Sequence, residues 1–229
     1  MPVFIGFVEA GVPLGVTFSF LISSPMVNEV ALGMLWLMFG WKIAIIYITS
    51  GLIIAIVAGM VLGRMKLEHL VEDYVFQINT SQCCDTSKPK ETWAVRLSYA
   101  KSYTIQILKK VWLWVLVGIA VGAIIHGYAP ANFLAKYAGK GNPFAVPLAV
   151  IIGIPLYSNA AGMIPVVKEL VRTGMATGTA LAFMMGVTAL SLPEAIILKQ
   201  VLKPKLLAIY FCIVGLAIVC TGYLFNVIL

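Results

Sequence analysis

Apolar residues follow one another along most of the chain, in stretches that contain no aspartate, glutamate, lysine or arginine. A helix needs about 20 apolar residues to cross the hydrocarbon core of a bilayer, and several of these stretches reach that length. Such stretches predict membrane-spanning helices rather than the amphipathic helices of a soluble domain. They cover residues 10–28, 43–63, 111–135, 141–167, 173–193 and 206–229.

The pattern of the first 63 residues returns near the end of the chain. PVFIGFVEAGVPLGVTFSF, from Pro2, aligns with PVVKELVRTGMATGTALAF, from Pro165, at a constant offset of 163 residues. The offset returns at the far end of both copies, whereas between these stretches the spacing slips by two and aligns Glu29 with Glu194. A recurrent offset that keeps Gly, Pro and Glu in register indicates an internal duplication.

The duplication divides the chain into three parts. A first repeat covers 1–63 and is incomplete at its amino-terminal end, a polar segment covers 64–110, and a second repeat covers 111–229. Each copy predicts a short helix, a glycine-bearing apolar helix, a polar break, a helix that begins at a proline, and a full span. We therefore predict an all-α polytopic membrane protein with two related repeats and broken or short membrane helices.

Further elements are predicted outside the matching pieces. The full spans of the two copies lie at 41–63 and 205–228, and a further span at 111–128 and an apolar piece at 143–157 come before the second copy. In the polar segment, an amphipathic helix on the membrane surface is predicted, because four apolar side chains recur at helical spacing. These side chains are Leu67, Leu70, Tyr74 and Ile78.

Basic residues flank the two full spans on opposite ends. Lysine and arginine concentrate in cytoplasmic loops of membrane proteins. Half of the 16 basic residues lie in 64–110, which predicts a cytoplasmic central segment in a multi-pass protein of the cell membrane. The first full span has Lys42 at its start but Arg64 and Lys66 after its end, whereas Lys199, Lys203 and Lys205 precede the second. This asymmetry predicts inverted repeats, which are typical of transporters.

Two polar breaks carry a glutamate after a proline. In SSPMVNE, Ser24 is predicted to cap a helix that has Pro25 in its first turn. In SLPE, Ser191 and Glu194 match a capping box. These residues, with Glu29, either only start helices or line a substrate or proton pathway. An ionisable side chain at membrane depth favours the pathway, because it costs at least about 2.5–3.5 kcal/mol there.

A third break, GIPLYSNAAG, carries no charge. Its polar side chains either line a cavity or cap the helix that follows. The predicted substrate-binding residues of the three breaks are Ser23, Ser24, Asn28, Tyr157, Ser158, Asn159 and Ser191. Ion or proton coupling is predicted at Glu29 and Glu194, and helix breaks are predicted at Pro25, Pro155 and Pro193.

Composition and charge exclude several other classes of protein. Of the 229 residues, 61% are hydrophobic and 11% are charged, whereas soluble domains contain about 45–50% apolar residues. The net charge of +7 does not indicate nucleic-acid binding, because no soluble domain carries a basic face. The four cysteines (Cys83, Cys84, Cys212 and Cys220) lack metal-site spacing, and no P-loop is present. No metal site, cofactor or nucleic-acid partner is expected.

PLGVTFSFLISSPMVNEVAL, GWKIAIIY and GIPLYSNAAGMIPVV resemble the predicted-permease family that includes YraQ and the organoarsenical permease ArsP. The resemblance covers nearly the whole chain, and SPMVNE and PLYSNAAG are its most specific parts. It implies an inner-membrane permease of about eight spans built from two related halves. ArsP-like members resemble exporters of trivalent organoarsenicals.

The chain departs from the family at its start. The family carries a cysteine-and-serine motif just ahead of the stretch that matches residues 2–6, and cysteines are ligands that a soft arsenical prefers. The duplication leads to the same expectation, because counterparts of 111–128 and of Tyr157, Ser158 and Asn159 would come before residue 1. We expect a shortened member or an incomplete chain, which a second copy or a partner chain would complete.

Three functions are compatible with these features. The first is a permease that moves a small solute by alternating access, with membrane lipid and a small-molecule substrate as its partners. The second is a non-transporting membrane subunit or a partial permease that needs a partner chain. The third is an intramembrane enzyme, for which the GxSxG and HExxH signatures are absent. We predict the permease and no enzymatic activity.

Overall fold

The computed structural model describes residues 2–65, 67–71, 97–98, 101–102, 105, 112, 116, 142–156, 158–199 and 201–229. Most of the polar segment, including Tyr74, Ile78 and the pair Cys83–Cys84, lies outside these described residues. The same is true of Tyr157 and of the predicted span at 111–128, apart from two single positions.

Four helices form the first part of the fold. They are α1 (Pro2–Glu9), α2 (Leu14–Met26), α3 (Glu29–Phe39) and α4 (Trp41–Arg64). Gly11 turns the chain between α1 and α2 with φ 74°, and Gly40 separates α3 from α4 with φ 91°, a region that glycine enters without steric cost. The axes of α2 and α3 differ by 44°, so the two helices together are one broken span or a re-entrant loop.

The second part comes after a short 3₁₀ helix (Leu67–Leu70) and has, among the described residues, one helix more than the first part. Its helices are α5 (Ala145–Gly153), α6 (Ala160–Arg172), α7 (Thr177–Ala189), α8 (Leu192–Leu198) and α9 (Pro204–Ile228). Among the described residues no strand is present, and the stretches Trp41–Arg64, Thr177–Leu198 and Pro204–Ile228 are long and apolar enough to cross a membrane. The prediction of an all-α membrane protein is confirmed.

Helix boundaries keep one offset between the two parts. Helices α7, α8 and α9 each begin 163 residues after α2, α3 and α4. Gly174, with φ 103°, turns the chain ahead of α7 as Gly11 does ahead of α2. The predicted two-residue slip is absent from these boundaries, so Glu29 is the first residue of its helix and Glu194 is the third residue of its own.

Both parts pack their long helices through a glycine contact. A Cβ atom on Gly15 of α2 would lie 2.8 Å from the carbonyl oxygen of Gly59 in α4. A Cβ atom on Gly178 of α7 would lie 2.7 Å from the carbonyl oxygen of Gly222 in α9. Small residues let membrane helices approach this closely, and van der Waals packing then holds them together.

The core lies where the two parts meet. Helix α7 packs against α2, α5, α6 and α9, and all of its residues after the first are buried. The ring of Phe18 in α2 stacks on the ring of Tyr210 in α9, with 5.6 Å between ring centroids. Contacts between α4 and α9 complete the junction, so the four long helices of the two parts share one apolar interior.

The end of α4 lies beside the start of α9. The backbone N–H of Lys203 donates to the carbonyl of Leu70 over 2.9 Å, and Val71 forms an isolated bridge with Leu202. The Lys203 ammonium donates to the carbonyl of His69 over 3.0 Å. Of the amphipathic helix predicted with Leu67, Leu70, Tyr74 and Ile78 on one side, the described residues include only the first turn, which is a 3₁₀ helix at Leu67–Leu70 that leads into this contact.

Candidate functional site

The helix after the first break begins four residues later than the sequence indicates. Helix α2 continues through Ser24 and Pro25 to Met26, and the chain is non-helical at 27–28. The cap of α3 is Asn28, whose side-chain oxygen accepts from the N–H groups of Val30 at 2.8 Å and Ala31 at 3.3 Å. The prediction that Ser24 caps this helix is therefore wrong, because asparagine occupies the position next to the helix start.

The remaining polar groups of the first break are partly open. Ser23 is half-buried, and its hydroxyl donates to the carbonyl of Phe20 over 3.2 Å within α2. Ser24 is exposed and Pro25 is half-buried inside the last turn of α2. Glu29 stands in the first turn of α3 and is exposed. An exposed carboxylate is unfavourable against lipid, so Glu29 needs water or another protein surface beside it.

The second break lies between α7 and α8. Ser191 is buried at the N-cap position of α8, but its side chain makes no capping hydrogen bond. Pro193 is in the first turn of α8. The predicted capping box is wrong at Ser191, whose side chain makes no capping hydrogen bond. The N–H of Leu192, the first residue of α8, donates to the carbonyl of Ile154 over 2.7 Å, so a distant backbone group satisfies this donor.

The hydrogen bond from Leu192 joins the second break to the third. Helix α5 ends at Gly153, and Ile154, Pro155 and Leu156 follow it. Asn159 caps α6 by accepting from the N–H of Gly162 at 2.7 Å, and the half-buried Ser158 donates to the carbonyl of Asn159 over 3.3 Å. Of the two roles left open for this break, capping is thus the role that Asn159 performs.

Glu194 lies in the first turn of α8 and is half-buried. It is near enough to the buried Tyr210 of α9 for an electrostatic interaction between the two groups. The Tyr210 hydroxyl donates to the carbonyl of Ala189 over 3.4 Å, at the end of α7. Glu194 and Tyr210 therefore form, with the buried Ser191, a polar cluster around the second break.

Tyr47 occupies in α4 the position that Tyr210 occupies in α9. It is buried, and its hydroxyl oxygen has no hydrogen-bond partner. The hydroxyl of Thr188 is its polar neighbour, but the geometry falls outside hydrogen-bonding range, and Thr188 already donates to the carbonyls of Met184 and Met185. A buried polar atom without a partner is unusual and marks a place that water or a ligand could enter.

Sequence reasoning did not assign a role to either tyrosine or to Thr188. A signal was present, because Tyr47 and Tyr210 coincide at the repeat offset. Apolar neighbours on both sides make a tyrosine in a membrane helix look like part of the core. Only the packing of α4 on α9 and of α7 on its neighbours reveals that the two hydroxyls end near the breaks.

The structure also has a cavity that none of the predicted residues lines. It has a volume of about 390 Å³ and lies at the start of α2 and the end of α4, away from the first break. Within the described part of the chain, no group of three or more His, Cys, Asp or Glu side chains could hold a metal ion. Cys212 and Cys220 are both exposed on α9.

Several helices of this protein break inside apolar stretches, and polar groups lie at the breaks. These features define a polytopic membrane protein whose helices do more than anchor it in the bilayer. The chain belongs to the predicted-permease family of the ArsP type, whose sequence pattern matches residues 1–227. It is 24% identical over 228 residues to UPF0718 protein YraQ of Escherichia coli K12, which covers 96% of this chain. It is 30% identical over 130 residues to UPF0718 protein MJ0584 of Methanocaldococcus jannaschii, which covers 56% of it.

The chain spans only part of the length of these relatives. The matched regions are 61% of YraQ and 35% of MJ0584. No solved structure matches the fold. Family membership supports a transporter rather than an enzyme.

Proposed function

We propose that the chain forms the core of a secondary permease of the cell membrane, which moves a small solute by alternating access between its two repeats. The observation that carries the proposal is the meeting of two breaks. The Leu192–Ile154 hydrogen bond holds the second and third breaks together, with Glu194 beside them. Irregular backbone at membrane depth is tolerated where it lines a cavity or is buried in protein. A substrate pathway requires a cavity of this kind between the helices.

The contact between α4 and α9 supports inverted repeats. Residues just after α4 bond to residues just before α9, so these two ends share one side of the membrane. Helices α4 and α9 hold corresponding positions in the two repeats, and they therefore cross the membrane in opposite directions. The basic residues Arg64, Lys199 and Lys203 lie near these two helix ends, and the enrichment of basic residues in cytoplasmic loops supports a cytoplasmic location for this side and for the segment 64–110.

In this mechanism the glutamates couple transport to a proton or another cation. Glu194 is the stronger candidate, because it is half-buried beside the joined breaks, whereas Glu29 is exposed. Glu29 is the corresponding group of the first repeat. Ser23, Asn28, Ser158 and Ser191 supply hydroxyl and amide groups near the breaks. The capping bonds of Asn28 and Asn159 keep the ends of α3 and α6 in place while the repeats move.

The substrate that we propose to test first is a trivalent organoarsenical moving out of the cell. Support comes from the resemblance of the chain to ArsP-like permeases. Thiolates are the side chains that bind such a soft centre best, and the described cysteines, Cys212 and Cys220, face outward from α9. Polar groups at the breaks would therefore have to guide the arsenical, with any thiol ligand coming from outside the described residues.

Flux through proteoliposomes that contain the purified chain tests the proposal. With a trivalent methylarsenical and an imposed pH gradient, we expect Glu194→Gln to lower the flux by roughly tenfold or more, because the amide cannot change charge during the cycle. Glu29→Gln should also lower it. Glu169→Gln is the matched control, since Glu169 lies on α6 in an exposed ion pair with Arg172 and should leave the flux unchanged.

Equal flux in the Glu194 and Glu169 variants would refute a coupling role for the breaks.

A second function has its own observation in favour, because the face of α2 that corresponds to the buried face of α7 is exposed. Val16 is 58% exposed, whereas Thr179, its counterpart, is fully buried. A chain that gives no flux alone, and gives flux only with a partner polypeptide, would be a partial permease rather than a complete one.

A further inference from the structure

Helix α5 runs beside α7, from near the start of α7 to its end. The first turn of α5 packs where the start of α7 crosses the end of α9, since a Cβ atom placed on Gly222 would lie 2.6 Å from the Val146 side chain. Just after the other end of α5, the carbonyl of Ile154 accepts from the N–H of Leu192 at the start of α8. Helix α5 therefore leads from the end of α9 to the second break.

Helix α6 returns to the level at which α5 begins. It ends at Arg172, and Gly174 turns the chain with φ 103° into the start of α7. Ahead of α5, the carbonyl of Pro143 accepts from the hydroxyl of Tyr223, near the end of α9. Since the start of α7 also packs on the end of α9, the start of α5 and the end of α6 lie on the same side of the fold.

The α5–α6 tip, which comprises residues 154–156 and 158–159, lies near the middle of the membrane. Helix α9 has 25 residues and is long and apolar enough to cross the bilayer. The end of α7 packs against the middle of α9, where a Cβ atom placed on Gly215 would lie 3.6 Å from the Leu190 side chain. The nine residues of α5 measure about 14 Å, which is close to half of a hydrocarbon core of about 30 Å. The tip therefore reaches the depth of the second break.

One face of α6 is exposed and carries polar, charged or small residues. Exposed positions recur at every third or fourth residue from the tip to the end of α6, at Asn159, Gly162, Pro165, Lys168 and Arg172. The charged side chains lie in the last turns, near the membrane surface, whereas Asn159 lies at the tip. Its side-chain N–H groups have no acceptor in the part of the chain that the structure describes. Because an amide without a partner is unfavourable in hydrocarbon, this face requires water.

We propose that α5 and α6 form a re-entrant hairpin and that the exposed face of α6 lines an aqueous vestibule. The vestibule leads from the membrane surface at Arg172 to the joined breaks at the α5–α6 tip. It opens on the side where α9 ends, opposite to Lys205 at the start of α9. Its use as a path for the solute rests on the proposed permease function, whereas the hairpin and the water beside it do not.

Single cysteines test the hairpin in a chain whose own four cysteines are changed to serine. Phe144→Cys marks the start of α5 and Thr173→Cys marks the end of α6, and both of these residues are exposed. Lys205→Cys, also at an exposed position, marks the start of α9. In sealed vesicles of either orientation, a membrane-impermeant maleimide should label Phe144→Cys and Thr173→Cys from one side and Lys205→Cys from the other.

A second pair of cysteines tests the vestibule. Ser158→Cys places a thiol of similar size at the half-buried tip, and Ile151→Cys is the matched control near the end of α5, where Ile151 is 62% exposed. A charged methanethiosulfonate reagent attacks the thiolate, which forms in water but not in lipid, so Ser158→Cys should react at least about tenfold faster than Ile151→Cys. Pro165→Cys is a second probe of the exposed face of α6 and should behave like Ser158→Cys.

The same variants connect the vestibule to transport. After reaction with the charged reagent, Ser158→Cys should lose flux, because the added group blocks the inner end of the path. Phe144→Cys treated in the same way should keep its flux, since its label lies outside the path. A parent chain without flux would contradict the proposed permease and not the hairpin, because labelling needs no substrate.

Two results would overturn the proposal. Labelling of Phe144→Cys and Thr173→Cys from opposite sides would mean that α5 and α6 together cross the membrane. Reaction of Ser158→Cys and Pro165→Cys no faster than that of Ile151→Cys would mean that lipid or protein covers the face of α6. Complete reaction of every variant after denaturation in dodecyl sulfate is the control that each thiol is intact.

Discussion

Replacing Gly178 by alanine tests the close contact that holds α7 against α9. The new Cβ atom would lie 2.5 Å from the backbone nitrogen of Asn226 and 2.7 Å from the carbonyl oxygen of Gly222. Both are backbone atoms, so relief requires α9 to move away from α7 rather than a side chain to rotate. Overpacking of this kind costs about 1–3 kcal/mol.

A second loss adds to the first. The Asn226 side-chain oxygen also lies 2.5 Å from the new Cβ atom, and this oxygen accepts from the N–H of Thr179 at 3.1 Å. The Asn226 amide in turn donates to the Thr179 hydroxyl over 3.1 Å. Displacing the amide lowers the stability of the folded protein by about 0.5–1.5 kcal/mol per hydrogen bond. The better helix propensity of alanine offsets up to about 1 kcal/mol of this loss.

We therefore expect Gly178→Ala to lower the free energy of unfolding by about 2 kcal/mol, which changes the ratio of folded to unfolded protein by roughly thirtyfold. The measurement is a titration with sodium dodecyl sulfate in mixed micelles, followed by tryptophan fluorescence. Gly33→Ala in α3 is the matched control, since no atom lies within 4 Å of its new Cβ atom.

Gly15→Ala should fall between these two variants. Its Cβ atom would meet the Gly59 carbonyl oxygen at 2.8 Å and the Gly63 Cα atom at 3.1 Å, and no side-chain hydrogen bond is displaced. If Gly178→Ala unfolds at the same detergent fraction as Gly33→Ala, the helices do not pack through this contact and the reasoning fails.

Two further predictions concern helix ends and charge. Asn28→Ala should lower the free energy of unfolding by about 1 kcal/mol through loss of the α3 cap. Asn28→Asp should keep most of the capping stability, because a carboxylate oxygen can accept the same bonds. An alanine variant as stable as the parent in the same detergent titration would contradict the cap. The Arg172 guanidinium holds the pKa of Glu169 below its usual value, so Glu169 stays ionised to lower pH in the folded protein. Any stability that the pair adds is therefore present above the pKa of Glu169 in the unfolded chain and is lost as the pH falls through its pKa in the folded protein. Arg172→Gln should return the pKa of Glu169 to its ordinary range with little change in stability, because the pair is exposed; a carboxyl NMR titration measures this, and an unchanged pKa would mean that the pair does not form.

Much of the fold was predictable because membrane helices obey local rules. Charge-free stretches of sufficient length specify spans whatever their neighbours, which is why α4 and α9 begin and end within a residue or so of the predicted 41–63 and 205–228. The duplication was visible for the same reason, since glycines at a fixed offset mark turns and close contacts that both copies need. The sequence also predicts the direction of each full span, through basic residues near its ends.

The details of the breaks depended on tertiary structure. A serine before a proline and an asparagine four residues later are both plausible caps, and the choice of Asn28 over Ser24 follows from where α2 actually ends. At the start of α8 the Ser191 side chain makes no cap, and the N–H of Leu192 donates to the carbonyl of Ile154, which lies 38 positions earlier in the chain. A hydrogen bond between such distant residues leaves no local trace in the sequence.

The sequence by itself therefore determined the class of protein, its helices and its internal repeat, because these depend on the hydrophobicity and spacing of near neighbours. Only the tertiary structure decided which breaks meet, that the Tyr47 and Tyr210 side chains are buried, and that Val146 of α5 packs over the glycine crossing of α7 and α9. These features depend on how helices from opposite ends of the chain pack, and packing is a property of surfaces that form only when the chain has folded.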